Sequence, residues 1–170
     1  MSKISVEMFC KSFKSLSKGK DKMLEDFINK HIVTDYISIL EKDALCTSIV
    51  EATCYVKEGD KKFIKFNSVG RYIFFVMKLI DLYTDIEIGT DRLDLQYDEL
   101  NKVGAIGVLM DAIPESEYTE FSTILNMKID DLRDNEYSIV AMLYNTKNSL
   151  SLSEDVISSA LEEATKEENK

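Results

Sequence analysis

The sequence predicts a mainly α fold, in which a single-domain bundle of about six or seven helices surrounds a buried central helix and carries one small β-hairpin. Two observations lead to this expectation. The 170 residues include one proline and six glycines, and a fold rich in turns needs more of both. The stretch YIFFVMKLIDLY at residues 72–83 is also the most apolar of the chain. The long segments between breakers therefore favour helices, one of them buried.

This apolar stretch is interpreted as the central core helix, over residues 69–85, with Asn67 or Ser68 as its N-cap. Apolar residues recur along it at helical spacing and also extend around the cylinder, and a helix that is apolar nearly all round is a buried one. A short buried strand followed by a turn is the alternative. The residues expected to point inward are Tyr72, Phe75, Val76, Leu79, Ile80 and Tyr83.

The length and the charges of the same stretch exclude a membrane span. A spanning helix needs about 20 mostly apolar residues. Arg71 precedes this run, and Lys78 and Asp81 interrupt it. A charge near the centre of a bilayer costs about 2.5–3.5 kcal/mol. We therefore expect the chain to make no use of a membrane.

Three segments before the central helix are expected to be helical. Residues 5–17 and 21–32 place apolar side chains three and four positions apart, which is the pattern of an amphipathic helix. Residues 35–55 follow the pattern less regularly at their start, and Thr34 or Asp35 is expected to cap them. These three helices are expected to cover the central one.

Two other stretches have patterns typical of β-structure. Short β-rich pieces on either side of the polar turn Glu58-Gly59-Asp60 predict a hairpin. An isolated hairpin is marginally stable, so it is expected to pack against the helices. After the central helix, apolar residues alternate with acids over residues 86–97, which leaves a loop and a second weak hairpin as alternatives.

The remaining chain is expected to form helices separated by breakers. Gly104 and Pro114 are interpreted as helix stops, and a break is expected near residues 128–134. The domain is expected to comprise residues 1–166, followed by a frayed polar tail at 167–170. The expected helices are 97–103, 105–113, 115–126 (with Tyr118, Phe121, Ile124 and Leu125 inward), 135–146 and 153–166.

The cysteines indicate a reducing compartment. Cys10, Cys46 and Cys54 are odd in number, lie among apolar neighbours and lack the spacing of a disulfide framework. The opening residues MSKISVEMFCKSFK contain no sustained apolar segment, so no secretory signal is expected. We therefore expect a protein that is cytosolic where it is made.

Charge is distributed unevenly along the chain, whose net charge is −10. Residues 1–80 contain 14 Lys and Arg against 10 Asp and Glu, whereas residues 81–170 contain 7 against 21. The acidic second half is suited to a basic protein partner or, in a head-to-tail homo-oligomer, to the basic half of another copy. Solubility alone is the alternative explanation. Net acidity argues against nucleic acid binding, which depends on neutralising phosphates.

Six acids near the end of the central helix form the candidate partner-binding face: Asp81, Asp85, Glu87, Asp91, Asp94 and Asp98. Carboxylates could hold Mg²⁺ or Ca²⁺, but the EF-hand loop pattern with its distal glutamate is absent. We therefore expect no metal and no cofactor. The expectation is a surface that docks on a basic partner together with the helix at 153–166, and a solvated acidic surface is the alternative.

No catalytic residue is expected. His31, the single histidine, lies near a predicted helix end beside Ile32 and Val33, and no nucleophile signature accompanies it. The fragment KVGAIG does not match a dinucleotide-binding fingerprint, and the serines lack a G-x-S-x-G setting. The sequence therefore favours a protein that is not an enzyme.

The stretches NSVGRYIFFVMKLIDLYTDIEI and YDELNKVGAIGVLMDAIPESEYTEF resemble small helical proteins encoded by tailed phages of Gram-positive hosts. The resemblance covers roughly residues 65–140 and brings no functional residues with it. The Lys-, Ile- and Asp-rich composition fits an AT-rich genome of that sort. The resemblance implies a component of the virion or of its assembly machinery.

The expected function is therefore a non-enzymatic phage virion or virion-assembly protein that acts through protein–protein contacts. Its partner would be another virion component or a host protein, and its location the host cytoplasm and then the virion. The alternative is a phage-encoded acidic inhibitor that binds a host protein. A metal-dependent enzyme that uses the acids between Asp81 and Asp98 is a third alternative.

Overall fold

The structure, a computed structural model, describes residues 3–17, 21–59 and 61–137. Helices make up most of this part of the chain. The seven α-helices of this part are α1 (Val6–Leu16), α2 (Asp21–His31), α3 (Ile39–Thr53), α4 (Ser68–Tyr83), α5 (Leu93–Lys102), α6 (Ala105–Asp111) and α7 (Glu115–Tyr137). Four short strands and one 3₁₀ turn connect them: β1 (Ile4–Ser5), β2 (Tyr55–Glu58), β3 (Lys61–Ile64), β4 (Ile86–Glu87) and the turn Thr90–Arg92. The predicted mainly helical class is confirmed.

The chain divides into two compact units, Met1–Leu125 and Asn126–Lys170. Helices α1 to α6 lie in the first unit, and α7 begins in it. The predicted helix at 153–166, the predicted tail at 167–170 and the part of the predicted helix at 135–146 beyond residue 137 fall outside the described residues. The expectation of one domain over residues 1–166 stays a prediction.

The central helix is α4, as the apolar stretch predicts. Asn67 caps it, because its side-chain oxygen accepts a hydrogen bond of 2.9 Å from the amide of Gly70. The helix packs against α3 on one side and against α5 and α6 on another. Its buried residues are Phe75, Val76, Met77, Leu79, Ile80 and Tyr83.

Tyr72 was expected to point inward and is 54% exposed, so this part of the prediction is wrong. The residue belongs to the first turns of α4, where α6 and the start of α7 leave a groove open to solvent beside it. Helical spacing shows that Tyr72 shares a face with Val76, but it cannot show where the neighbouring helices stop covering that face.

The hairpin is formed by β2 and β3, as predicted. The strands are antiparallel, with Tyr55 opposite Ile64 and Glu58 opposite Lys61. A second strand pair is parallel and joins β1 to β4, with Ile4 opposite Ile86 and Ser5 opposite Glu87. This pair is not predictable from the sequence, because two residues are too few for alternation to be recognised.

The stretch 86–97 is neither a loop throughout nor a second hairpin. After β4 and the 3₁₀ turn, α5 begins at Leu93 and ends before Gly104, whose φ of 76° is the left-handed conformation typical of glycine at a helix end. Leu93 and Tyr97 pack against the core and Leu100 is buried, whereas Leu95 is exposed. The inward residues of this stretch therefore form an apolar stripe along a helix, with spacings of four and then three residues.

Two helix boundaries also differ from the prediction. Helix α3 begins at Ile39 rather than near residue 35, because Ser38 and Glu41 form a reciprocal capping box there. The break expected near residues 128–134 is absent, and α7 continues to Tyr137. This stretch contains no glycine or proline, and polar residues alone do not end a helix.

Replacing Leu79 by Ala should destabilise the protein by about 2–5 kcal/mol, because the loss of this fully buried side chain would leave a cavity in the core. Phe75→Ala should have an effect of similar size, about 3–5 kcal/mol. Val69→Ala is the matched control, since Val69 lies on the same helix and is 71% exposed. Urea denaturation measures all three variants. A loss below about 0.5 kcal/mol for Leu79→Ala would rule out a central buried position.

Candidate protein-binding surface

Two of the six predicted surface acids already pair with basic residues of the same chain. The carboxylate of Asp81 lies 2.9 Å from Lys3 Nζ and 3.5 Å from Lys78 Nζ. Asp85 Oδ1 lies 2.7 Å from His31 Nδ1. Both acids are partly buried. They connect the end of α4 to β1 and α2, so a partner would have to compete with these contacts.

His31 is the last residue of α2 and is packed inside the fold. It is buried, and its ring lies edge-on to Phe27 and Phe9, with centroids 4.7 and 5.4 Å away. Its main-chain oxygen also accepts a hydrogen bond from the Asp85 amide. These contacts tie α2 to the end of α4.

The other four acids are exposed. Glu87 lies in β4, beside a cleft that also contains Glu7, Glu99 and Arg92. The acidic α5 face comprises Asp94 and Asp98, one helical turn apart, together with Asp91 in the preceding 3₁₀ turn. Among the described residues, no cation lies within ion-pair distance of these three carboxylates. The partner-binding role of the six acids stays a prediction, and the α5 face is the part with carboxylates still open to a partner.

The described part of the chain contains no group of three or more His, Cys, Asp or Glu residues placed to hold a metal ion. The three cysteines are all thiols: Cys46 and Cys54 are buried, and Cys10 is partly buried. Burial and the charge of Glu99 raise the pKa of Cys10 above its ordinary value, which disfavours the thiolate.

A buried charge cluster, which the sequence analysis missed, joins α3, α4 and α7. Lys42 of α3 is fully buried, and its Nζ lies 2.8 Å from Glu117 Oε1 and also hydrogen-bonds Glu120. Tyr83 of α4 donates its hydroxyl proton to Glu117 Oε2 at 2.5 Å, and the amide of Ile37 donates to the same oxygen at 2.9 Å. The Glu117 carboxylate thus has three donors from three parts of the fold.

Hydrogen bonds outweigh burial in setting the pKa values of Glu117 and Lys42. Burial raises the pKa of Glu117, but the bonds from Lys42, Tyr83 and the Ile37 amide hold it below the ordinary value of 4.5. Burial lowers the pKa of Lys42, yet the bonds to Glu117 and Glu120 leave it raised. Burial and the bond to Glu117 raise the pKa of Tyr83 strongly. At neutral pH Lys42 is therefore an ammonium, Glu117 a carboxylate and Tyr83 a neutral phenol.

A sequence signal for this cluster existed. On α3, Lys42 is in register with the buried Cys46, Ile49 and Thr53, and on α7 Glu117 is in register with the buried Phe121. Opposite charges that interrupt two apolar stripes indicate a buried pair. Tyr118 was expected to point inward, and it is 43% exposed, so that prediction is wrong, whereas its neighbour Glu117 is buried.

An apolar groove lies between α4, α6 and the first turns of α7. Its volume is about 520 Å³, within the range of about 300–1,000 Å³ typical of ligand-binding clefts. We call it the α4–α6 groove. Its lining residues are Tyr72, Val76, Ile106, Gly107, Met110, Asp111, Ile113, Glu115 and Tyr118.

The groove and the acidic α5 face meet at a pair of tyrosines. The ring centroids of Tyr72 and Tyr97 lie 6.0 Å apart in an edge-on arrangement. The pKa of Tyr97 is raised, first by its hydrogen bond with Tyr72, then by burial and by the nearby charges of Tyr72 and Asp98. Since Tyr97 is beside Asp98 on α5, an apolar groove and an exposed acidic surface adjoin each other in the first unit.

Replacing Lys42 by Met should destabilise the protein by about 3–5 kcal/mol, because the Glu117 carboxylate would stay buried without its cation. Glu117→Gln should also destabilise the protein. The double variant should lose less stability than the sum of the two single losses, because each substitution removes the partner of the other residue. Lys11→Met is the control, because Lys11 pairs with Glu7 on the open surface of α1. A loss below about 1 kcal/mol for Lys42→Met in chemical denaturation would contradict the buried pair.

Stability should fall with acidification through Glu117. Its pKa lies below 4.5 in the folded chain, so the unfolded chain binds the proton first as the pH decreases. The contribution of Glu117 is therefore complete above pH 4.5 and is lost as the pH falls through the folded value. Denaturation of Glu117→Gln between about pH 6 and pH 3 should give a flatter profile than the wild type. Parallel profiles would show that Glu117 is not the acid responsible.

No helix in the described residues combines the length and the hydropathy needed to cross a bilayer. Comparisons of the chain with protein-family models, with curated proteins and with solved structures find no match. Two surface features of the first unit, the acidic α5 face and the α4–α6 groove, are candidates for binding another protein.

Proposed function

We propose that the chain is a non-enzymatic protein that acts through protein–protein contacts, as a virion or virion-assembly component of a tailed phage. The observation that carries the contact is the junction at Tyr72 and Tyr97, where an open apolar groove adjoins the acidic α5 face. Protein interfaces typically combine an apolar centre with a polar rim, and this surface has both parts. The phage setting rests on the resemblance of residues 65–140.

The charges of the surface support a basic partner. Asp91, Asp94 and Asp98 are exposed on or beside α5, and the groove adds Asp111 and Glu115. A surface of one sign accelerates the encounter with a partner of the opposite sign and repels partners of its own sign. The partner in this proposal is another virion component that presents Lys and Arg, with assembly beginning in the host cytoplasm.

An inhibitor of a host protein would use the same chemistry, so the identity of the neighbour separates the two roles. Crosslinking in infected cells and in purified particles, followed by mass spectrometry, identifies that neighbour. A virion protein crosslinked to α5 supports the proposal, and a host protein supports the alternative. A crosslink between two copies of the chain would indicate a head-to-tail homo-oligomer instead.

Binding of the crosslinked neighbour should weaken as salt increases, because exposed charges are screened beyond about 8–10 Å at physiological ionic strength. The variant Asp91→Lys/Asp94→Lys should slow association by about tenfold or more at low salt and change dissociation less. Surface plasmon resonance across a salt series measures both rates.

The control for this experiment is Glu25→Lys/Asp26→Lys, which makes the same change of charge on exposed residues of α2. It should alter association much less, since it lies on another helix. If wild type and Asp91→Lys/Asp94→Lys bind equally at every salt concentration, the acidic α5 face is not a docking surface and its charge serves solubility.

A further inference from the structure

The α4–α6 groove has an apolar interior and aromatic sides that are open to solvent. Val76, Ile106 and Ile113 line it from the core and are buried, while Tyr72 and Tyr118 are about half exposed. Met110 is partly buried and adds a side chain that adapts to different shapes. An open groove of this kind suits a segment of another chain, because a small molecule would stay largely exposed in it.

Gly107 leaves room in the groove that the fold itself does not require. It lies in the middle of α6, where glycine costs about 0.5–1 kcal/mol relative to alanine. A Cβ atom built on Gly107 would meet no atom within 4 Å, and its backbone does not adopt a positive φ. Neither packing nor conformation therefore requires a glycine here, and the space beside it is open to a side chain from another molecule.

The charges of the groove specify the chemistry of its occupant. Its charged lining residues are Asp111 and Glu115, both exposed, and neither forms an ion pair with another described residue. A cation beside them would be complementary in charge. It would also lie close to the rings of Tyr72 and Tyr118, whose faces attract Lys and especially Arg.

We infer that the α4–α6 groove binds a segment of the partner protein that inserts an aliphatic side chain beside Gly107 and sets Arg or Lys against Asp111 and Glu115. This inference rests on the proposed function and names the anchor of that contact. The Tyr72–Tyr97 junction lets the same basic segment continue onto the acidic α5 face. The groove supplies burial for the aliphatic anchor, and the two acidic regions supply attraction over its flanks.

The probe is a short blocked peptide with leucines at i, i+3, i+4 and i+7 and arginines on its flanks, compared with a twin whose arginines are replaced by glutamate. Fluorescence anisotropy measures binding to the full chain. The wild type should bind the arginine peptide at least about tenfold more tightly than the glutamate twin, because only the former complements Asp111 and Glu115.

Two tryptophan variants test the site. Gly107→Trp should fill the groove and weaken binding of the arginine peptide by about tenfold or more, whereas Leu40→Trp, at an exposed position of α3 outside the groove, should retain binding within about twofold. Equal binding by wild type and Gly107→Trp, or no binding of the arginine peptide by the wild type, would overturn the inference.

A charge variant keeps the test independent of the packing around Gly107. Asp111→Lys/Glu115→Lys changes exposed residues only, so the fold should be retained, which circular dichroism checks. It should reverse the preference from the arginine peptide to the glutamate twin. An unchanged preference would contradict the assigned role of both acids.

Sedimentation velocity and the natural neighbour decide the remaining outcomes. If the wild type self-associates and Gly107→Trp does not, the occupant is a second copy of the chain and the inference of a separate partner is wrong. If the crosslinked neighbour binds Gly107→Trp as well as the wild type but binds Asp91→Lys/Asp94→Lys more weakly, the groove inference fails and the proposed function stands. If it binds both variants as well as the wild type, the proposed contact surface fails as well.

Discussion

The position of α7 depends on one buried carboxylate. Glu117 accepts hydrogen bonds from Lys42 on α3, from Tyr83 on α4 and from the amide of Ile37. A buried charge is tolerated only while it is paired and hydrogen-bonded, so a shift of α7 along its axis would be opposed by the loss of all three donors. This constraint turns Glu115 and Tyr118 toward the other side of the helix, where they line the α4–α6 groove. An interaction in the interior thereby shapes the surface.

The parts of the fold that could be predicted from the sequence are those with a strong local signal. Helix α4 is apolar nearly all round, and Asn67 precedes it as a cap, so its position and burial follow from the residues themselves. The hairpin has a polar turn between two β-rich pieces. The start of α5 was missed because Leu93, Leu95 and Tyr97 also fit the alternating pattern of a β-strand. The burial of Leu100 against residues distant in sequence distinguishes the helix from the strand, and the local sequence does not show that burial.

The candidate site was less predictable because its parts come from separate elements. The sequence shows that Asp81 and Asp85 are acidic, but it does not show that Lys3 and His31 reach them. The acidic face is therefore reduced from six residues to those that still have open carboxylates. Gly107 gave no visible signal in the sequence, since the role proposed for it depends on the open space beside it in the groove. Charge and periodicity are local properties, whereas a groove is a property of packing.

The parallel pairing of β1 with β4 has a consequence for synthesis on the ribosome. Residues 4–5 find their strand partners only after residues 86–87 have emerged, and Lys42 waits a further 30 or so residues for Glu117. Until then, α3 cannot bury its core stripe without also burying an unpaired ammonium. Contacts this distant in sequence must close large loops before they stabilise the chain. The core of the first unit is thus expected to be completed only after the first turns of α7 have left the exit tunnel.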